Sequence, residues 1–402
     1  MRQWDANIII AGGGMVGLSL GIGLARAGVS VMLLERTPMA AQLDAAFDGR
    51  VSAIARGSSR LLARLGVWEN LLPYAQPIWD IRVSDGHSPL FLHYDHREVD
   101  SEPFGWIVEN RHIRWALAQA AEALPNLAVA APEELTHLTA DEGGVTVQCK
   151  NRGALRAQLL AAADGKQSRA RELADIPVLE TDYGQTAIVC TIAHEKPHGG
   201  LAQERFLPAG PFAVLPMTGN RSSLVWTEAR RDAPVFLQLP NQECAHEIRE
   251  RVGDYLGAIT LEGPRFSYPL SAMHARRYIA PRLCLVGDAA HAIHPIAGQG
   301  VNLGFRDVAV LVELIAERFA LGLDIGSQEV LSHYQRWRRF DNLTMLTVTD
   351  GLNRLFSNQL APVQLARGAG LWAVSHMPAL KRFFMRHAMG LTGDVPKLMR
   401  EG

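Results

Sequence analysis

The residues whose types and spacing most directly suggest chemistry lie in the run Leu283–Asp307, LCLVGDAAHAIHPIAGQGVNLGFRD. An apolar strand (Leu283, Cys284, Leu285, Val286) ends on Gly287-Asp288. A turn holding His294, Pro295, Gly298, Gln299 and Gly300 follows, and Val301, Asn302, Leu303 and Gly304 open a long helical run. Glycine lets a backbone approach a ligand closely, and free N–H groups at a helix start form an electropositive pocket. A carboxylate at the end of a strand, here Asp288, can hold a sugar or ribityl hydroxyl. An ordinary strand–loop–helix connection accounts for Gly-Asp alone, but not for Pro, Gly, Gln, Gly and Asn gathered in one run. His291 and His294 lie three apart without a third ligand, so they read as hydrogen-bonding groups around the turn rather than metal ligands. Ser168, His291 and Asp288 do not make a hydrolase, because no Gly-x-Ser-x-Gly elbow accompanies them.

A second constellation stands near the start of the chain. Gly12-Gly13-Gly14-Met15-Val16-Gly17 is Gly-x-Gly-x-x-Gly, set between the apolar strand Asn7–Ala11 and a helix over Met15–Ala27 that Gly28 stops. The next apolar strand, Val29–Leu34, ends on Glu35, 18 positions after Gly17. In that setting the glycines match a dinucleotide fingerprint. Gly12 permits the turn, Gly14 lets a pyrophosphate approach, and Gly17 lets the helix pack on the strand. Glu35, with Arg36 beside it, can accept from both ribose hydroxyls of an adenosine. Asp164-Gly165 ends another apolar strand and continues to Ser168 and Arg171. Arg50, after Asp48-Gly49, reads either as a surface charge or as a flavin or phosphate contact. Arg111, early in a helix, is a further candidate for a phosphate or ribityl contact.

These residues need a scaffold, and the periodicities outline one. Pro73–Glu109 is strand-like (Ile81, Val83, Leu90, Leu92, Tyr94), and Arg111–Leu124 is helical. Short strands follow at Leu127–Ala131, Val145–Cys149 and Leu159–Ala163. From Gln185 to Tyr278 the pattern turns β-rich, with strands at Ala187–Ile192, Phe212–Leu215, Leu224–Thr227 and Phe266–Leu270 and one helix over Gln242–Leu256. Because Leu283–Gly287 reads as a return to the nucleotide half, the β-rich part is an antiparallel sheet inserted as a second domain. After Asp307 the chain reads as helical nearly to its end. The 402 residues suit two domains, with 48% hydrophobic and 20% charged residues, as in ordinary globular proteins. A net charge of -1 gives no general electrostatic case for nucleic acid. Cys149, Cys190, Cys244 and Cys284 are scattered, which suits a reducing cytosol. The start reads as a first strand and not a signal peptide. No run approaches the ~18 apolar residues of a transmembrane helix.

The three motifs in this order, Gly-x-Gly-x-x-Gly, Asp-Gly, and Gly-Asp followed by His-Pro-x-x-Gly-Gln-Gly, resemble the class A flavoprotein monooxygenases, which include para-hydroxybenzoate hydroxylase. The run His294–Asp307 is more narrowly similar to the ubiquinone-biosynthesis hydroxylases, which act on a polyprenylated phenol ring. The likeness spans about Asn7–Asp350, and the last 50 or so residues carry no motif. It implies an α/β fold: a Rossmann-like FAD-binding domain (1–75, 105–178 and 275–350), an interleaved antiparallel β-sheet substrate domain (76–104 and 179–274) and a helical C-terminal region (351–402). It implies FAD on Gly12, Gly14, Gly17, Glu35, Arg36, Arg50, Arg111, Asp164, Asp288, Gly298, Gly300, Val301 and Asn302. His294, Pro295, Gly298 and Gln299 would then lie at the flavin edge. In that superfamily Asp164 is associated with both FAD and NAD(P)H. A helix start near the isoalloxazine stabilises negative charge on the reduced flavin, and a C4a-hydroperoxide then delivers oxygen to the phenol, so no side chain has to be a nucleophile or a metal ligand.

The partners implied are a polyprenyl phenol, O2, and NAD(P)H or another electron donor, since the chain has no second Gly-x-Gly-x-x-Gly. A ubiquinone-biosynthesis complex and a cytoplasmic place at the face of the inner membrane go with them. A related reductase or oxidase, or a non-catalytic FAD subunit, stays open, whereas the Trp-x-Trp-x-x-Pro motif of a halogenase is absent. Phe212, Trp226, Phe266 and Tyr268 are first of all core, with one or two of them lining a phenol pocket. Beyond Leu352 seven Lys/Arg and two acids interleave with apolar residues. Lys381–Met389 therefore reads either as packing on the FAD domain or as a basic, apolar surface for a membrane.

Overall fold

In the computed structural model the strand Ile8–Ala11 lies inside a six-stranded sheet, parallel to Val31–Leu34 on one side and to Leu159–Ala162 on the other. The structure describes residues 4–43, 48–86, 91–293, 298, 300–356, 374 and 376–401. Leu127–Ala130 extends the sheet beyond Val31–Leu34, and Leu283–Leu285 extends it beyond Leu159–Ala162, both in parallel, with Ile279–Ala280 antiparallel at the edge. Buried strands of a parallel sheet read as unbroken apolar runs, which is why IIIA and LLAA were visible as strands. Ala11 is in register with Leu34 and with Ala162, and Ala162 with Leu285. The loops beginning at Gly12, Glu35, Ala163 and Val286 therefore all leave the same edge of the sheet. Ligands of open α/β sheets bind at such carboxyl ends.

The second large sheet has eight strands. In spatial order they are His291–Ala292, Ile259–Ala275, Val178–His194, Arg221–Ala229, Gly210–Met217, Leu201–Leu207, Asp80–Asp85 and Phe91–Asp95. All neighbours are antiparallel except Leu201–Leu207 with Asp80–Asp85. The helices Ala233–Gln238 and Asn241–Val252 cover one face, where Cys244 and Ile248 pack with Ile188, Phe212, Leu224 and Trp226. Val51–Ala55, Gln76–Ile78 and Gly105–Glu109 form a small sheet between the two large ones. The helices Met15–Arg26 and Gly300–Ala320 pack closely, with Val312 2.8 Å from the point where Gly23 would carry a Cβ.

Several elements differ from the sequence expectation. The expected strands Ala187–Ile192 and Phe266–Leu270 are the centres of 17-residue strands, Val178–His194 and Ile259–Ala275. A bulge sits between Asp182 and Gln185, and Gly263, at φ 76°, precedes Pro264; both hide the continuation. Leu201–Leu207 went unseen because Gln203, Glu204 and Arg205 form a polar run across its alternation. The helix expected over Gln242–Leu256 stops at Val252, where Gly253 adopts φ 80°. Among the described residues the long C-terminal helices are Gly300–Ala320, Gln328–Phe356 and Pro378–Ala388, the first two separated at Gly322 by a φ of 68°.

Candidate functional site

The glycine loop is built for close approach. A Cβ on Gly12, at φ 103°, would fall 2.3 Å from the Ala163 carbonyl oxygen, and one on Gly17 would fall 1.9 Å from that of Gly12. The Gly14 position faces open space, with no atom within 4 Å. Gly14 also begins the 12-residue helix Met15–Arg26 without a side-chain cap, so its first N–H groups are available to an anion. The buried carboxylate of Glu35 accepts from the backbone N–H of Gly13 (2.6 Å) and of Thr37 (2.7 Å). A carboxylate has about four lone-pair sites, so it can accept further hydroxyls. Asp164 accepts from the Ala170 N–H at 3.1 Å through Oδ2, and its Oδ1 is buried with no partner. Gly12, Gly14, Glu35, the exposed Arg36 and Asp164 line one cleft of about 270 Å³.

The second motif converges on the same place. Gly287, at φ 60°, and Gly304 both pack on Val16 of the glycine loop, their would-be Cβ atoms 3.2 and 2.7 Å from it. Two stretches far apart in the chain, Gly12–Gly17 and Leu283–Asp307, thus meet at one valine. Asp288 exposes its side chain in a crowded recess; burial, with the Asp307 carboxylate behind it, raises its pKa against the pull of His291 and Lys166. Arg171 ties two motif loops together, donating to the carbonyls of Ala289 (2.9 Å) and Lys166 (2.9 Å). Ser168 caps its own short helix by accepting from the Arg171 N–H.

Behind Asp288 lies a buried polar network. Asp307 accepts from the Gly287 N–H (2.9 Å), is 2.6 Å from His291 Nε2 and accepts from Arg338 Nε (2.7 Å). Arg338 also reaches Asp341 and Asn342. Burial alone would raise the Asp307 pKa, but His291 and Arg338 overcome it and hold the carboxyl well below its ordinary value. The importance of Asp307 and Arg338 was missed. The available signal was that Asp307 stands on the apolar stripe of its helix between Leu303 and Leu311, where a lone charge needs a partner.

The remaining expected residues separate into groups. Gly298 adopts φ 62° and packs on Ala53, while Gly300 faces open space and Val301 is half-buried at the start of its helix. The Asn302 side chain brackets a strand: it accepts from the Ala55 N–H (2.9 Å) and donates to the Ala53 carbonyl (2.8 Å). His294, Pro295 and Gln299 lie outside the described residues. Arg50 and Arg111 come together at one end of the strand pair Val51–Ala55 and Gly105–Glu109. Each is held by a carboxylate, Arg50 by Asp48 (2.8 Å) and Arg111 by Glu109 (2.7 Å).

The family model described as "FAD binding domain" matches residues 5–340. The ubiquinone hydroxylase UbiL of Rhodospirillum rubrum is 50% identical over 398 residues, covering 98% of this chain and 92% of that protein. The 3-demethoxyubiquinol 3-hydroxylase of Escherichia coli is 36% identical, covering 97% and 100%. The chain belongs to the ubiquinone-biosynthesis hydroxylase family. Among solved structures, the p-nitrophenol 4-monooxygenase PnpA of Pseudomonas putida shares the fold, with a TM-score of 0.80 at 20% identity over 98% of this chain and 100% of that one. This hydroxylase is an FAD-dependent aromatic-ring monooxygenase. The cleft fits such a cofactor on two counts: the Gly14 side of the loop is clear for a dinucleotide, and the orphaned Asp164 Oδ1 is a buried acceptor facing no protein donor.

Proposed function

We propose that this chain hydroxylates the aromatic ring of a polyprenylated phenol, a ubiquinone precursor, using FAD, O2 and electrons from NAD(P)H or another donor. The observation that carries the reading is the packing of Gly287 and Gly304 on Val16 of the Gly12–Gly17 motif, at the sheet edge where Glu35 and Asp164 also emerge. On this reading segments 1–75, 105–178 and 275–350 hold FAD, segments 76–104 and 179–274 hold the substrate, and 351–402 is a helical C-terminal region.

Bound FAD supplies the activation of O2 and the transfer of one oxygen atom to the ring. The chain's own residues bind, orient and exclude water. Gly12, Gly14 and Gly17 cradle the pyrophosphate, Glu35 takes the adenosine ribose with Arg36 beside it, and Asp288 takes the ribityl chain. Asp164 serves FAD and a visiting nicotinamide, with Arg50 and Arg111 as phosphate or ribityl contacts. The main chain of Gly298, Gly300, Val301 and Asn302, together with His294, Pro295 and Gln299, meets the isoalloxazine edge. There the positive end of the 21-residue helix Gly300–Ala320 stabilises negative charge.

A polyprenyl substrate also calls for a route from the bilayer, and no helix among the described residues is long and apolar enough to cross one. Phe383, Phe384, Arg382 and Arg386 are exposed on Pro378–Ala388, which supports a cytoplasmic enzyme peripheral to the inner membrane and placed in a ubiquinone-biosynthesis complex. The test is turnover of a short-chain prenyl phenol under labelled O2. One labelled atom per product is expected. Reductant consumption with no labelled product would favour an oxidase, and reduction of the prenyl chain a reductase.

A further inference from the structure

Residues paired across neighbouring strands point to the same face of a sheet. In the eight-stranded sheet one transverse row runs Val83, Glu204, Ala213, Val225, Val189, Phe266. Glu204 is its only polar member. The row faces away from the helices Ala233–Gln238 and Asn241–Val252 and towards the FAD-binding half. At one end the Phe266 ring packs on Gly49, 2.2 Å from where a Cβ would stand. The adjacent row, Ile81, Ala202 and Leu215, packs with Val51 and Ala53, and Ala53 is the residue that Gly298 touches. Ala202 and Glu204 are two strand residues apart, about 7 Å.

Two C-terminal helices bracket the position. Phe206, two residues beyond Glu204, stacks on Phe356 at the end of Gln328–Phe356, with ring centroids 4.0 Å apart. Met385 of Pro378–Ala388 and Met389 just after it pack with Ala202 and Met217 on the other side. Glu204 stands on the apolar floor between them. It is half-buried with protein atoms crowded around it, and has no hydrogen-bonding or ionic partner among the described residues. The neighbouring Arg205 points to the opposite face, where it donates to the Gly86 and Arg251 carbonyls. A carboxyl in such surroundings is unfavourable unless it meets a polar group, and an aliphatic side chain would fill the row without that penalty.

We propose that Glu204 receives the phenolic hydroxyl of the ring that is hydroxylated. The inference rests on the hydroxylase reading above and names the group that orients its substrate. In the ionised form Glu204 accepts the hydroxyl proton: the phenolic O–H bond breaks, the proton passes to a Glu204 Oε, and the electron pair stays on the phenolic oxygen. The ring so charged is the better nucleophile towards an electrophilic oxygen. Burial pushes the Glu204 carboxyl up to about 8. Against a phenol near about 10, transfer to it is roughly a hundredfold unfavourable, where an ordinary glutamate near about 4.3 would face a more than hundred-thousandfold gap. The titratable groups on the surrounding elements are Tyr94, Asp85, Asp350, which accepts from Tyr183, and on Pro378–Ala388 Lys381, Arg382, Arg386 and His387. None of them shifts Glu204, whose displacement comes from burial alone.

The test compares full-length holoenzyme with E204Q and E204D, using a short-chain prenyl phenol and its O-methyl ether as probes. Binding is read from the flavin absorbance change and turnover from labelled oxygen. E204Q should keep its FAD, lose about 100-fold or more in kcat/KM, and lack the pH limb expected of the wild type near 8. It should also lose the wild type's preference for phenol over ether, with E204D restoring part of each. An E204Q that keeps the wild-type preference, rate and pH profile overturns the assignment. Should E204Q fail to fold, equal affinity of the wild type for phenol and ether above that pH overturns it too, and a preference for phenol supports it. A wild type that labels no phenol overturns the hydroxylase reading and this inference with it. Labelled product made equally by wild type and E204Q overturns this inference alone.

Discussion

The two large sheets work from different places. The six-stranded sheet offers its strand ends: Gly12 and Glu35 follow directly on an apolar strand, and Asp164 and Asp288 come two and three residues after theirs. The eight-stranded sheet offers a face, where every second residue counts and neighbours in space come from separate strands. Val83, Glu204, Val225 and Phe266 share a row yet lie far apart in the sequence, between positions 83 and 266. Chemistry at a strand end is contiguous in the chain and makes a motif. Chemistry on a sheet face is scattered by register and makes none. The following substitutions separate what is structural from what is chemical in the two regions.

The largest effect should come from behind the parallel sheet's edge. Asp307→Ala leaves Arg338 charged and buried, and removes the acceptor of the Gly287 N–H. Breaking a buried pair in this way costs about 3–5 kcal/mol, visible in urea denaturation. Because Asp307 is held below its ordinary pKa in the folded protein, this stability is complete above about pH 4 and is lost as the pH falls below it. The wild type should therefore lose more stability on acidification than Asp307→Asn does. Asp288→Ala, on the exposed side of the same loop, should keep its far-ultraviolet circular dichroism and its denaturation midpoint while releasing FAD. A collapsed spectrum for Asp288→Ala would make its role structural, and the contrast between loop and support would fail.

That contrast also marks where the sequence was readable. Gly12–Gly17, Glu35, Asp164-Gly165 and Gly287-Asp288 could be found because each sits where an apolar run stops. Asn302 was legible as part of a motif, but its side chain serves the strand Val51–Ala55, a contact between residues more than two hundred positions apart that no local pattern encodes. The strand carrying Glu204 was illegible for the opposite reason. Gln203 and Arg205 face one side and Glu204 the other, so three polar residues in a row concealed a regular alternation. The 17-residue strands were read short because bulges and Gly263-Pro264 interrupt their period without ending them.

Glu35→Ala removes a charge-assisted acceptor. Such bonds are worth about 1.5–3 kcal/mol, so FAD affinity should drop about ten- to a hundredfold, measured by equilibrium dialysis. Part of the loss will be local, because the Gly13 and Thr37 N–H groups lose their acceptor as well. Retention of FAD as tight as in the wild type would refute the ribose assignment. A glycine pair then separates packing from ligand approach. Gly17→Ala drives a methyl into the Gly12 carbonyl and should destabilise the fold by about 1–3 kcal/mol. Gly14→Ala meets no protein atom, so its thermal midpoint without FAD should match the wild type while its FAD affinity falls. Equal midpoints for the two variants would show that the loop relaxes freely.

The smallest effect belongs to the last long helix, where the same question of structure against chemistry recurs on one element. Met385 of Pro378–Ala388 and Met389 just after it are fully buried against Ile78, Phe104 and Ile107. Phe383 and Phe384 remain 55% and 39% exposed. Lys381 is committed to Glu98 at 2.6 Å, which leaves Arg382 and Arg386 as the outward cations of this helix. The helix therefore packs on the protein with one side and presents aromatic and basic groups with the other. A cation near an anionic surface contributes about 1 kcal/mol, so Arg382→Gln with Arg386→Gln should weaken co-sedimentation with anionic vesicles by about tenfold or more at low salt. At high salt, where screening removes that attraction, the difference should nearly vanish. Phe383→Ser with Phe384→Ser should weaken binding at both salt concentrations, because burial of apolar surface is not screened. Both variants should retain FAD and the wild-type melting temperature, since none of the four side chains lies in the core. Vesicle binding unchanged by either pair would remove this helix as the membrane-facing element.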